Sequence, residues 1–149
     1  GEHAATLSFG KPGVLHGTHT MLLYDQHGQI QETHSISAGH DYPGVGPEHA
    51  LLQAIGRVEY VTAGDDETLA SLEELCASEG ILPALESSHA LAGAKRWAAK
   101  NPGARVLIGL SGRGDKDMPI LAQHPMADRS SDARSRGPQR AVESPHAAA

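Results

Sequence analysis

The order of apolar and polar positions predicts helices that alternate with short strands along most of the chain. Leu69, Leu72, Leu75 and Cys76 recur at helical spacing. A helix is therefore expected from an N-cap at Asp65 or Asp66 to a stop at Gly80, with acidic residues in its first turn. Two further helices are expected, one over 47–55 ended by Gly56, and one from a cap at Ser87 or Ser88 to about Lys100.

Short apolar runs between these helices are typical of buried strands. They cover residues 58–62, 81–85 and 105–110. Helices that alternate with such strands predict an α/β fold, with a mainly parallel sheet flanked by helices. Because ligands of these sheets bind beyond the C-terminal strand ends, Glu86 and Ser111 are expected to converge on one crevice.

A β-hairpin is predicted near the N-terminus. Its strands are expected at Thr20–Tyr24 and Gln29–Ser35, around a turn at Asp25–Gly28. This hairpin leads into an unusual loop, SISAGHDYPGVGPEHA, at residues 35–50. Its glycines permit close backbone approach to a ligand, and Pro47 is suited to the first position of a helix.

Composition narrows the function classes. A formal net charge of -6 and a pI near 5.9 argue against nucleic-acid or anionic-membrane binding. Cys76 is the single cysteine, so an internal disulfide is impossible, and no membrane span or signal peptide is recognisable. We expect a cytoplasmic protein with one domain at 1–124. The remainder, 125–149, lacks apolar periodicity and is expected to be a disordered tail.

Three segments, in the same order, resemble the β subunit of tryptophan synthase, a pyridoxal-phosphate enzyme. They are the loop at 35–50, EGILPALESSHA at 79–90 and LSGRGDKD at 110–117. The resemblance extends from about His3 to about Asp117 and corresponds to the C-terminal portion of the family. It implies the fold-type II pyridoxal-phosphate architecture and the condensation of L-serine with indole to L-tryptophan and water. It also implies an α subunit and a second β chain as partners.

The resemblance assigns roles to residues near the cofactor. Ser111 matches the serine that meets the pyridine nitrogen, with Gly112 beside it. Gly39 is expected to approach the cofactor through its backbone. Glu86 matches a carboxylate that assists proton transfers during elimination of the serine hydroxyl. From the residues alone, a serine that caps the next element is the favoured interpretation of Ser111. Glu86 is a carboxylate at a helix N-terminus, which is compatible with a place beside the cofactor.

Further matches concern the substrate and an ion. Asp41 corresponds to the aspartate that contacts the substrate hydroxyl, although a solvated loop aspartate is the simpler interpretation. Leu15 and His16 match positions along the indole tunnel. The resemblance also implies a monovalent-cation site that includes the carbonyls of Tyr42 and Gly44. A zinc site at His16 and His19 is discounted, because no second ligand pair accompanies them.

The sequence departs from the family pattern in three ways. No lysine stands in the context of the family's cofactor-binding lysine, and the phosphate-binding loop is missing; the lysines are Lys11, Lys95, Lys100 and Lys116. We therefore expect these 149 residues alone to be inactive. In addition, His40 replaces the usual aliphatic residue before the loop aspartate. Two alternatives stay open: a non-catalytic remnant that acts through a partner, and another β-replacement or threonine synthase-like enzyme.

Overall fold

The computed structural model describes residues 2–124, and every structural statement below concerns that part of the chain. It contains five helices, a two-stranded antiparallel sheet and one short 3-10 helix, Gly114–Asp117. The elements in chain order are α1 Thr6–Phe9, β1 Lys11–Leu15, β2 Thr18–Leu22, α2 Pro47–Ala54, α3 Asp65–Glu79, α4 Leu85–Lys100 and α5 Met118–Leu121.

The hairpin is present, but it lies earlier in the chain than predicted. β1 and β2 pair from Lys11↔Leu22 to Leu15↔Thr18, around a turn at His16 and Gly17. Both turn residues have positive φ, 50° and 77°, as tight two-residue hairpins require. The turn predicted at Asp25–Gly28 also forms, but the strands around it are reduced to a single bridge between Tyr24 and Ile30.

The predicted helices α2 and α3 are confirmed. Pro47 opens α2, and Gly80 ends α3 in the left-handed conformation with φ 68°. The predicted cap at Asp65 or Asp66 is wrong, because Gly64 precedes the helix and donates its N–H to the Glu67 carboxylate at 2.9 Å. The predicted acidic first turn is present.

Helix α4 begins at Leu85, two residues before the earlier of the two predicted caps. Ser87 and Ser88 are therefore buried inside the helix rather than at its cap. The Leu85 N–H donates to Asp117 Oδ2 at 2.9 Å. The Asp117 carboxylate thus accepts a helix N-terminal N–H that a local capping side chain usually bonds. Because Asp117 is distant in the sequence, the local pattern gives no sign of this partner.

A small core joins the loop to the helices. Ile36, Leu72 and Leu85 are buried together, and four partly buried residues pack against them: Leu69, Cys76, Ile120 and Leu121. Full burial of one such aliphatic side chain contributes about 1.5–3 kcal/mol. The core therefore holds the loop against α3 and α4, and so positions the crevice described below.

The three strands predicted at 58–62, 81–85 and 105–110 are not strands in this structure. Several apolar side chains in these segments are open to solvent, with Leu107 98% and Val61 65% exposed, although Ala84 and Leu85 at the end of the second segment are buried. A strand requires a paired neighbour, and within residues 2–124 none lies alongside them. The α/β class holds in its coarse sense, since the described residues combine helices with one small antiparallel sheet.

None of the helices described is long and apolar enough to cross a membrane. The predicted tail at 125–149 lies outside the described residues.

Candidate active site

An open crevice lies where the hairpin, the glycine-rich loop and the first turns of α4 meet. It brings together six of the residues that the sequence singled out: Leu15, His16, Gly39, Tyr42, Gly44 and Glu86. His40 and His89 line it as well. Asp41, Ser111 and Gly112 are not among its lining residues.

Glu86 is the most strongly held acidic side chain of the crevice. It lies in the first turn of α4, and its side chain is 20% exposed. Its Oε1 accepts the Gly39 N–H at 2.8 Å, and Lys116 Nζ lies 2.8 Å from Oε2 and 3.1 Å from Oε1. The carboxylate therefore connects the loop, α4 and the segment after Ser111.

These contacts fix the charge of Glu86. Burial acts to raise the pKa of its carboxyl, but hydrogen bonds from Lys116, from its own amide and from Gly39 outweigh that effect and lower the pKa to about 2. Glu86 is thus a carboxylate at neutral pH, able to accept a proton only when this environment changes.

Gly39 lies very close to this carboxylate. A Cβ added there would be 2.5 Å from Glu86 Oε1, so the Glu86 side chain would have to move away. The backbone of the loop consequently reaches the carboxylate directly, with the Gly39 N–H directed at it.

Ser87, a buried neighbour of Glu86 in α4, fixes the position of the Ser111 main chain. Ser87 Oγ donates to the Ser111 carbonyl at 2.7 Å and accepts the Ser111 N–H at 3.0 Å. The main chain of Ser111 is thus fixed to α4, while Ser111 itself is exposed. Gly112 follows with φ 69°, a left-handed conformation that favours glycine.

Asp41 lies on the exposed side of the loop. Its Oδ1 accepts the Thr33 hydroxyl at 2.7 Å. This contact orients the carboxylate toward the preceding segment, and it agrees with the simpler interpretation of a loop aspartate in this structure.

The hairpin turn and the loop are connected on the other side of the crevice. Tyr42 Oη and His16 Nδ1 are 2.8 Å apart, within hydrogen-bond distance. Gly44 bridges to Leu22 in β2, and the Pro43 carbonyl accepts the Leu23 N–H at 2.8 Å. The segment predicted to supply carbonyls to a cation is therefore held against β2, with Leu15 and His16 at the adjacent turn.

His40 and His89 form an unexpected pair. Their rings meet edge to face, with centroids 4.8 Å apart. Burial, and then the proximity of His89, lower the pKa of His40; the charge of Glu86 raises it slightly and that of Lys116 lowers it. His40 thus adds a titratable group to the crevice that Glu86 also lines.

Lys116 is the functional candidate that sequence reasoning missed. Its position in the sequence suggests ion pairs within its own segment, where Asp115 and Asp117 flank it. In the structure Arg113 does pair with Asp115 at 3.1 Å, but Lys116 joins Asp117 to Glu86. The only sequence signal was a lysine between two acidic residues, which does not reveal a third acid 30 positions earlier.

Comparison with known proteins identifies close relatives. The chain is 63% identical over 123 residues to a tryptophan synthase beta chain of Nitrosomonas europaea, a match that covers 82% of this chain and 31% of that protein. It is 57% identical over 138 residues to the corresponding protein of Methylibium petroleiphilum, covering 92% and 34%. A third such protein, from Albidiferax ferrireducens, is 57% identical over 129 residues, covering 86% and 30%. No protein-family model matches the chain.

The resemblance predicted from the three sequence segments is thereby confirmed. The chain spans about a third of the length of the curated relatives that it matches. The expected end of the resemblance near Asp117 is too early, because a match of 138 residues must extend beyond Pro125.

Proposed function

We propose that this chain forms part of a pyridoxal-phosphate enzyme that condenses L-serine with indole to give L-tryptophan and water. The observation that carries the proposal is the crevice carboxylate Glu86, held by the Gly39 amide and Lys116. The identity of 57–63% to tryptophan synthase beta chains supports the same conclusion.

The residues present are suited to bind the pyridine ring of the cofactor. Ser111 is exposed on a main chain fixed by Ser87, so its neutral hydroxyl is suited to a pyridine nitrogen. When bound, pyridoxal phosphate supplies the electron-withdrawing ring that β-elimination and β-replacement require. Gly39 and Gly112 would adjoin it, since neither carries a side chain that would obstruct its approach. The lysine and the phosphate-binding loop would be supplied from outside these 149 residues.

We propose that Glu86 transfers protons in this reaction. Glu86 is a carboxylate at neutral pH, and it would accept a proton and return it to the departing serine hydroxyl once its contacts with Lys116 and Gly39 change. Asp41 would receive the substrate hydroxyl, exchanging its present contact with Thr33. Indole would enter along the turn at Leu15 and His16, which lines the same crevice.

The remaining assignments complete the proposed enzyme. An α subunit would supply the indole, and a second β chain would complete the assembly in the cytoplasm. Carbonyls of Tyr42 and Gly44 would bind a monovalent cation, which prefers oxygen ligands. The extended segments 58–62, 81–84 and 105–110 would pair within the parallel sheet of the fold-type II architecture, which would cover apolar side chains such as Leu107.

A chimera tests the function. Residues 2–124 of this chain replace the aligned residues of the Nitrosomonas europaea protein, and tryptophan formation from L-serine and indole is followed by chromatography. Turnover within about tenfold of the parent is expected, a loss of no more than about 1.4 kcal/mol in activation free energy. The matched control carries Glu79→Gln, an exposed change at the end of α3, and should keep that turnover.

Two other outcomes would overturn the proposal. A chimera that takes up the cofactor but uses a different β-replacement substrate, or forms threonine, would favour the related enzymes. A folded chimera that neither takes up the cofactor nor turns over serine would favour the non-catalytic remnant.

A further inference from the structure

Lys116 makes a set of contacts that its place in an exposed segment does not suggest. Its ammonium group lies 2.8 Å and 3.1 Å from the two oxygens of Glu86, and 2.6 Å from Asp117 Oδ1. One cation therefore joins two carboxylates that belong to separate elements, α4 and the short 3-10 helix.

The partner Asp117 is buried, with its side chain only 3% exposed. Its second oxygen, Oδ2, accepts the Leu85 N–H, the amide immediately before Glu86. A buried carboxylate is costly unless it is paired and hydrogen-bonded, so Asp117 holds Lys116 in place as much as Lys116 neutralises Asp117. The first turn of α4 is consequently held at two successive residues by one short segment.

The same segment carries Ser111. Ser87 bonds the Ser111 main chain in both directions, and Lys116 bonds Glu86 a few residues later. Glu86 in turn receives the Gly39 N–H. The Glu86 carboxylate is thus held between two donors, the Lys116 ammonium group on the side of Ser111 and the Gly39 N–H on the side of the loop.

We infer that Lys116 is a positioning residue, which directs the Glu86 carboxylate toward Gly39. Lys116 does not itself act on substrate, because its ammonium group is already shared between Glu86 and Asp117. The importance of this arrangement for catalysis rests on the proposed function, whereas the positioning is a property of the chain alone.

The test measures Glu86 directly in the 149-residue chain. Glutamate labelled with ¹³C at the carboxyl carbon is titrated by NMR, and Glu86 is identified by the signal lost in Glu86→Gln. In the parent chain the pKa of Glu86 is expected to be about 2. Lys116→Met should raise this pKa by at least about one unit, because burial still raises it while the main interaction that lowers it is lost. In Lys116→Arg, the pKa of Glu86 should stay close to its value in the parent chain.

Hydrogen exchange of the Gly39 amide supplies a second readout. Exchange should accelerate at least about fivefold in Lys116→Met as the carboxylate leaves its position. The matched control is Arg113→Met, which removes a cation from the same segment but one paired with Asp115. It should change neither the Glu86 titration nor the Gly39 exchange.

The outcomes are separable. If Lys116→Met does not fold, the double variant Lys116→Met/Asp117→Asn replaces it, since asparagine can still accept the Leu85 N–H without a buried charge. An unchanged Glu86 titration and unchanged Gly39 exchange in folded Lys116→Met, or in the double variant that replaces it, would overturn the inference, as would an equal response to Arg113→Met. None of these readouts uses the cofactor, so an inactive chimera counts against the proposed function alone.

Discussion

Glu86 shows how one position can serve structure and chemistry together. The sequence allowed either a carboxylate at a helix N-terminus or a carboxylate beside a cofactor. The structure places it in the first turn of α4 and on the crevice wall. A helix terminus near Glu86 was predictable from the local pattern, although the predicted caps at Ser87 and Ser88 left Glu86 just outside the helix. Its contacts with Gly39 and Lys116 were not predictable, because they join residues 47 and 30 positions away.

Gly39→Ala tests the closeness of the loop to Glu86. The new methyl group would lie 2.5 Å from Oε1 and force the carboxylate away from the Gly39 N–H. We expect the free energy of unfolding, measured by urea denaturation, to fall by about 1–3 kcal/mol. Gly109→Ala is the control, since a Cβ there meets no atom within 4 Å. A Gly39→Ala chain as stable as the parent would contradict the contact.

His40 should make the folded chain sensitive to mild acid. Its pKa in the folded chain lies below the ordinary 6.5, so the unfolded chain takes up the proton first as the pH falls. Stability should therefore decline below about pH 6.5 and level off once the folded-state pKa is passed. Burial is the largest cause of this lowered pKa, and the facing groups His89, Glu86 and Lys116 modify it.

Thermal melts of the parent and His40→Leu chains, from about pH 7.5 to about pH 5, measure this decline. The variant should lose less stability than the parent over that range. His27→Leu, in the exposed turn after β2, is the matched control and should follow the parent. Parallel curves for His40→Leu and the parent would show that His40 does not cause the decline.

The elements differ in how far the sequence determines them. Helices α2 and α3 were predictable because Pro47, Gly56 and Gly80 mark their ends locally. The predicted strands failed because pairing depends on a neighbour that the local pattern cannot specify. The hairpin was misplaced because His16, a non-glycine residue with φ 50°, gives no strong turn signal.

Leu72→Ala tests the packing of α3 against the rest of the core. Leu72 is 1% exposed and contacts the buried cluster with Ile36 and Leu85. We expect a loss of about 2–5 kcal/mol in the free energy of unfolding, measured by denaturant titration. Leu51→Ala, at a position 58% exposed on α2, should cost about 0.5 kcal/mol or less. Equal losses in the two variants would contradict this core.

The chain as a whole spans about a third of its relatives' length. We expect none of its lysines to bind the cofactor covalently. Hydrogen bonds from Lys116 to Asp117, and then to Glu86, raise its pKa and keep it a poor nucleophile. After pyridoxal phosphate and borohydride, intact mass should therefore reveal no stoichiometric adduct on one lysine. Such an adduct, located by peptide mapping, would mean that this chain contains its own cofactor lysine.

The most direct test of the account is the turnover of Glu86→Gln in the chimera with the Nitrosomonas europaea protein. Glutamine preserves the size of the side chain and can still accept the Gly39 N–H, but it cannot take up and return a proton. We expect kcat for tryptophan formation to fall by about 10²–10⁴-fold, with cofactor uptake retained. A Glu86→Gln chimera with kcat within about twofold of its parent, less than about 0.5 kcal/mol in activation free energy, would contradict the proposed role of Glu86.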